Sequence, residues 1–118
     1  MPKYVDGFVL VVPKKNVAAY RRIAKKAGKI WREHGALEYF ECVGDDMNVK
    51  FGMPFPKLAK TKRGETVIFA WIVYKSRADR DRVNKKVMAD PRLHMNMDDM
   101  PFDMKKMSYG GFEVLVEA

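Results

Sequence analysis

One cysteine, two histidines and no extended apolar run set the first limits on this 118-residue chain. Without a second cysteine, Cys42 cannot anchor an intrachain disulfide scaffold. No apolar stretch approaches the roughly 20 residues that a transmembrane helix needs. The opening Met1-Pro2-Lys3-Tyr4 lacks the charged-then-apolar layout of a signal peptide, which makes the cytoplasm the expected location. Gly-rich phosphate loops, G-x-S-x-G and H-E-x-x-H are also missing, and with them the commonest nucleotide, hydrolase and zinc-protease signatures. Asp45-Asp46 is an isolated acidic pair, far short of a calcium loop.

What is present suffices for one ordinary core. Hydrophobic residues make up 47% of the chain and 14 aromatics are spread along it, which argues against disorder and for a single domain over residues 1–118. The net charge of +8 is concentrated: residues 1–35 carry nine of the 23 basic side chains and only Asp6 and Glu33 against them. Val17, Tyr20, Ala24, Ala27, Trp31 and His34 recur at helical spacing, which puts Arg21, Arg22, Lys25, Lys26, Lys29 and Arg32 on the opposite face. Such a face can line up phosphates. It carries no interleaved aromatic platform and only Arg for base readout, so a solvated face is preferred over nucleic-acid binding.

The chain alternates between strand and helix patterns. Tyr4 to Val12 reads as a strand apolar at odd and even positions alike, hence covered on both faces. A helix follows from about Asn16, a candidate N-cap, to His34, with Gly35 as its stop and Gly28 inside it as a sign of close packing. Ala36 to Val43 is a second strand, and Thr66 to Tyr74 a third with apolar groups on both faces. Ser76, with Asp79 three residues on, opens a second helix that stops near Asp90-Pro91. Met107 to Val116 closes the order, and Gly110-Gly111 within it marks a bulge or a close approach. Between the second and third strands, the alternation of Val49, Phe51 and Met53 predicts a short extra strand. Pro54-Phe55-Pro56 and the basic run Lys57 to Arg63 then form a hairpin tip, with Met53 and Phe55 placed to cover a cavity or a partner.

This order predicts an α+β fold, a ferredoxin-like βαββαβ unit with an antiparallel sheet. Two helices cover one face of the sheet. The other face, apolar in strands one and three, calls for a second copy packed face to face about a two-fold axis, which gives a dimeric α/β barrel.

Tyr4-Val5-Asp6-Gly7-Phe8-Val9, Gly35-Ala36-Leu37 followed by Glu41-Cys42, Phe51-x-Met53, Phe69-x-Trp71, Asp90-Pro91-Arg92 and the run Met100 to Glu113 occur in that order. The last run contains Met100-Pro101-Phe102-Asp103 and Tyr109-Gly110-Gly111-Phe112. In these motifs, over essentially the whole chain, the sequence resembles the bacterial YbaA-like family, a domain of unknown function (DUF1428). The resemblance implies the dimeric α/β-barrel superfamily, which includes cofactor-free monooxygenases, haem-degrading enzymes, isomerases and decarboxylases beside members without known catalysis. The family carries no activity whose residues could be transferred, and Gly52, Pro54 and Pro56 depart from its pattern in the hairpin. Haem-degrading members place an iron-binding histidine on the second helix. Ser76 to Ala89 has none, and His94 lies just beyond it.

Each candidate side chain also has an ordinary structural reading. Asp6, within an apolar strand, and Asp103 are candidate proton acceptors, because buried carboxylates must be paired or carry raised pKa values. A salt bridge is the commoner use of such groups. Trp71, Phe102 and Tyr109 could wall a flat aromatic ligand between sheet and helices, with the Tyr109 hydroxyl as polar handle. Cys42 could line the same site, although a small core thiol beside Glu41 is the plainer reading. His34 and His94 do not lie at ligand spacing, and Met95, Met97, Met100, Met104 and Met107 form a pliable apolar lining in preference to a Cu(I) site. No metal and no cofactor is expected.

Three functions remain: a homodimer binding a small apolar or aromatic ligand, with metal-free oxygenase or isomerase chemistry as its enzymatic form; a non-catalytic stress or interaction module; and nucleic-acid binding through the first helix. Ligand binding is preferred because the barrel plan so often encloses a cavity.

Overall fold

The computed structural model describes residues 1–93 and 99–118. Strands β1 (Tyr4–Pro13), β2 (Glu38–Val43), β3 (Glu65–Tyr74) and β4 (Ser108–Glu113) form one antiparallel sheet in the order β2-β3-β1-β4. Helices α1 (Val17–Glu33) and α3 (Arg77–Met88) lie on one face, and a single turn, α2 (Phe55–Leu58), sits in the β2–β3 connection. This is the ferredoxin-like βαββαβ arrangement. Among the described residues no helix is long and apolar enough to cross a membrane.

Even-numbered residues of β1 and β3 face the helices. Leu10 and Val12 pack with Tyr20, Ala24 and Ile68, while Ile72 and Tyr74 pack with Ile30, Val83 and Val87. The helices meet this surface with the residues their periodicity predicts, and all six cations of α1 are exposed. Gly35 ends α1 at φ +121°, a conformation that only glycine adopts without strain. Gly28 faces Tyr39 so closely that a Cβ would lie 2.7 Å from its ring. Ser76 Oγ accepts from the Asp79 amide at 3.1 Å, so α3 starts as the sequence predicts.

Three local expectations change. Asn16 precedes α1 but makes no side-chain cap; its Nδ2 donates instead to Pro101 O at 2.9 Å and ties the segment before β4 to the start of α1. Residues 49–53 form no strand, because Pro54 and Pro56 remove ladder donors and start the α2 turn. Gly110 and Gly111 make no bulge: the β1–β4 register runs unbroken from Val9–Ser108 to Tyr4–Glu113. Gly111 is instead a close approach, where a Cβ would come within 2.7 Å of Cε2 of Tyr4.

The opposite sheet face is only partly covered: Val11, Val67 and Val73 are buried on it, but much of its middle and edges is open. Phe40, Phe69 and Phe112 are 46%, 43% and 61% exposed there, beside Val5, Val9 and Trp71. The chain is a slab of 39 × 36 × 20 Å with a radius of gyration of 15.0 Å, against about 13.5 Å for a compact domain of this length. Two layers with one apolar face partly uncovered account for that shape.

Beyond α3, Asp90 joins the two helices. It accepts from Arg92 Nη2 at 2.8 Å and from the Arg92 amide at 3.0 Å, and its Oδ2 lies 2.8 Å from His34 Nε2. The Arg92 side chain, then His34, hold its carboxyl well below the usual range. A carboxylate depressed in the folded state stabilises at pH values above its unfolded pKa of about 3.9, and that contribution fades as pH falls further. Asp90→Asn should therefore lower the urea midpoint at pH 7, with the gap from the parent closing progressively below about pH 4. A gap that is the same at pH 7 and at the lowest accessible pH would remove the ionic contribution.

Candidate functional site

Between α1 and the sheet lies a cavity of about 390 Å³. Its floor is Phe8, Leu10, Ala70 and Ile72; its roof is Tyr20, Ile23, Ala24, Ala27 and Trp31 of α1. Met100, Phe102, Met104 and Met107 close one side, and Phe102 meets Tyr20 edge-on at 5.4 Å between centroids. The segment is held there by the bond from Asn16 to Pro101 O.

The polar groups of this lining come together at one point. Glu41 accepts from Tyr20 Oη at 2.5 Å on Oε1 and from Tyr39 Oη at 2.5 Å on Oε2. Burial first, and then the neighbouring carboxylate, push both phenols well above their ordinary pKa, so both stay protonated and donate. No salt bridge involves Glu41 among the described residues. Each of its oxygens retains acceptor capacity for a donor on a bound molecule. Gly28 permits this arrangement, since only a glycine lets α1 approach the Tyr39 ring.

A second, wider groove of about 790 Å³ runs between α1 and the edge strand β2. Arg21, Lys25, Lys29 and Arg32 border it, and it shares Tyr20, Ala24, Tyr39 and Glu41 with the cavity.

The residues singled out from sequence are dispersed. Phe102 lines the cavity. Trp71 does not: with Phe69 and Val73 it occupies the odd-numbered face of β3, stacked on Phe40 at 5.1 Å, on the side away from the helices. Tyr109 is 72% exposed on the edge strand β4, its ring 6.0 Å from that of Phe8. Cys42 is paired with Phe69 in the β2–β3 register and belongs to the open face. Phe55 also stands beside Phe69, with centroids 6.0 Å apart, while Met53 is exposed.

Both candidate carboxylates have other partners. Asp6 is buried and accepts from Arg80 Nη1 at 2.9 Å and from Asn84 Nδ2 at 3.4 Å. Asn84 Oδ1 in turn accepts from Trp31 Nε1 and Tyr74 Oη. Asp103 is exposed and accepts the Lys105 amide at 2.9 Å, capping the turn Met104–Lys106. His94, Met95 and Met97 lie outside the described residues. Among the described ones, no three His, Cys, Asp or Glu side chains converge as metal ligands do.

The sequence marks Glu41, with Asp6 and Asp103, as a carboxylate bordering apolar segments, but nothing in it joins Glu41 to Tyr20 and Tyr39. The available signals were a tyrosine in the apolar stripe of α1 and a glutamate in the middle of an apolar strand. Nothing in the spacing reveals that they meet, because 21 residues separate Tyr20 from Glu41.

The family model described as "Protein of unknown function (DUF1428)" matches residues 3–104. The chain is 44% identical over 115 residues to the uncharacterised protein YbaA of Escherichia coli K12, covering 98% of each, and equally so to its Shigella flexneri counterpart. Among solved structures it is similar to a dimeric ferredoxin-like protein from an uncultured marine organism, with a TM-score of 0.62, 12% identity and 100% of both chains covered. A NIPSNAP family protein of unknown function from Agrobacterium tumefaciens gives a TM-score of 0.56 at 14% identity, covering 96% of this chain and 88% of that one. At these identities the likeness is one of fold.

Proposed function

This chain belongs to the DUF1428 family of proteins of unknown function, and from that premise we propose that it is a cytoplasmic homodimer that holds a small apolar or aromatic ligand between its helices and its sheet. The observation that carries this reading is the cavity of about 390 Å³, whose described lining carries one carboxylate, Glu41, held by two phenols. Small-molecule sites are typically a few hundred Å³, mostly apolar, with a few polar groups that fix orientation. The ligand would contact Phe102 and the methionines around it and donate a hydrogen bond to Glu41. Pairing of two copies is supported by the uncovered apolar face carrying Phe40, Phe69, Trp71 and Phe112, where Cys42 would also be covered. One structural neighbour is described as a dimeric ferredoxin-like protein.

If the ligand reacts, a metal-free isomerase or oxygenase step would draw its proton acceptor from Glu41. Asp6 and Asp103 are engaged by Arg80 and by a backbone amide. One observation favours the non-catalytic alternative: each Glu41 oxygen already accepts a hydrogen bond from a phenol, and no other carboxylate lines the cavity among the described residues. Ligand binding survives either way.

Native mass spectrometry of protein purified without additives tests the reading. The expected result is a dimer carrying a reproducible extra mass that is lost on denaturation. Ala70→Phe, which fills the cavity from β3, should yield the same dimer without that mass. A bare dimer that also rejects added apolar dyes would sink the ligand, and a monomer would sink the pairing.

A further inference from the structure

The cavity between α1 and the sheet has spent its donors and kept its acceptors. Three side chains in its described lining carry an N–H or O–H: Tyr20, Trp31 and Tyr39. Tyr20 Oη and Tyr39 Oη both donate to Glu41 at 2.5 Å. Trp31 Nε1 donates to Asn84 Oδ1 at 3.0 Å and to Tyr74 Oη at 3.1 Å. The acceptors are less fully used. The two oxygens of Glu41 offer about four lone-pair sites, of which the phenols take two. The thioethers of Met88, Met100, Met104 and Met107 are weak acceptors and donate nothing. Phe8, Tyr20, Trp31, Tyr39 and Phe102 add aromatic rings, whose faces are electronegative.

Charge points the same way. Glu41 is the one charged side chain in the described lining, and no salt bridge involves it among the described residues. Arg21, Lys25 and Lys29 stand exposed on the groove side of the wall that Tyr20, Tyr39 and Glu41 form, where water and salt screen them. An anionic ligand would meet a carboxylate, with every described side-chain donor of the lining already taken. A neutral acceptor such as a ketone would find no partner either. A protonated amine supplies both things the lining lacks, N–H donors and a positive charge. We propose that the cavity is a site for an organic cation, an ammonium group on an apolar body, its N–H groups donating to Glu41 and its body lying among the rings and thioethers. This rests on the cavity being a ligand site and names the class of ligand. The two phenols hold one oxygen of Glu41 each, which fixes the carboxylate before a ligand arrives.

Three ligands that share a naphthalene ring and differ in head group test the proposal: 1-naphthylmethylamine, 1-naphthylmethanol and 1-naphthoate, titrated at neutral pH by calorimetry. The amine should bind at least about tenfold more tightly than the alcohol, which also donates a hydrogen bond but carries no charge. The carboxylate should bind weakest. Ala70→Phe, which fills the cavity from β3, should weaken all three. Glu41→Gln should weaken the amine about tenfold and bring it level with the alcohol, because an amide oxygen still accepts from either head group. Circular dichroism verifies the fold of both variants; should Glu41→Gln not fold, the order of the three ligands on the parent decides. If amine and alcohol bind equally, or Glu41→Gln keeps the preference for the amine, the cation assignment falls and the cavity reading stands. A carboxylate that binds most tightly overturns the assignment as well. If none of the three binds, or Ala70→Phe leaves all three unchanged, both readings fall.

Discussion

Replacing Arg80 with methionine should cost about 3 kcal/mol of stability, the lower end of the range for breaking a buried ion pair. Arg80 joins α3 to Asp6 of β1 at 2.9 Å, and the Asp6 side chain is 8% exposed. With the guanidinium gone, the carboxylate keeps among the described residues the 3.4 Å contact from Asn84 and the nearby Tyr74 hydroxyl, neutral groups that do not replace its lost hydration. Stacking of the guanidinium over the Tyr4 ring, 4.8 Å from its centroid, is lost as well. The double variant Asp6→Asn, Arg80→Met removes the orphaned charge and should recover all but about 1 kcal/mol, since an amide still accepts from Asn84. Urea unfolding of all four proteins at one protomer concentration measures the cycle, because stability of a dimer depends on concentration. A single variant as stable as the parent would mean that Asp6 does not depend on Arg80. In that event Asp6 would return as a candidate proton acceptor.

If two copies pair through the open sheet face as proposed, Phe69→Glu should separate them. Phe69 lies near the middle of the open face, among Trp71, Phe55 and Cys42. In a single chain it is 43% exposed, so a glutamate there can reach water and the fold is retained. In a two-fold pair the substitution occurs twice on one apolar surface, which costs several kcal/mol. About 4 kcal/mol corresponds to a roughly thousandfold weaker dimer. Sedimentation velocity should then show two chains for the parent and one for the variant at micromolar concentration. If the parent itself sediments as one chain, face-to-face pairing is wrong, and the 15.0 Å radius of gyration describes a slab that needs some other cover. If parent and variant are both dimers, the contact lies elsewhere, and the edge strands β2 and β4 become the surfaces to probe.

The strands and helices were legible because their signals are local. Val67 to Val73 is apolar at every position, α1 repeats its apolar residues at three and four, and Ser76 stands at the capping distance before Asp79. Proline misled and informed in the same segment: Val49, Phe51 and Met53 alternate like a strand, yet Pro54 and Pro56 leave residues 49–53 without a ladder. The site was less legible. Trp71 and Phe102 look alike as large apolar residues in apolar surroundings, but strand parity sends Trp71 to the open face while Phe102 reaches the cavity from a connecting segment. Asp6 read as an unusual carboxylate in an apolar strand. Its partner Arg80 is 74 residues away, so nothing local shows that the charge is compensated.

Alone, the amino-acid sequence determined the order of elements, the solvated basic face of α1, the family, and the need to cover a second apolar sheet face. The family rests on the resemblance of motifs spread over the whole chain; the others follow from periodicity, capping and composition, which act over a few residues. Tertiary structure decided which side chains share a cavity, that Glu41 is clamped by Tyr20 and Tyr39, and that Asp6 is spent on Arg80. Those outcomes depend on how strands register and on which face of the sheet α1 crosses. Such contacts join residues tens of positions apart, where spacing along the chain carries no information about distance in space.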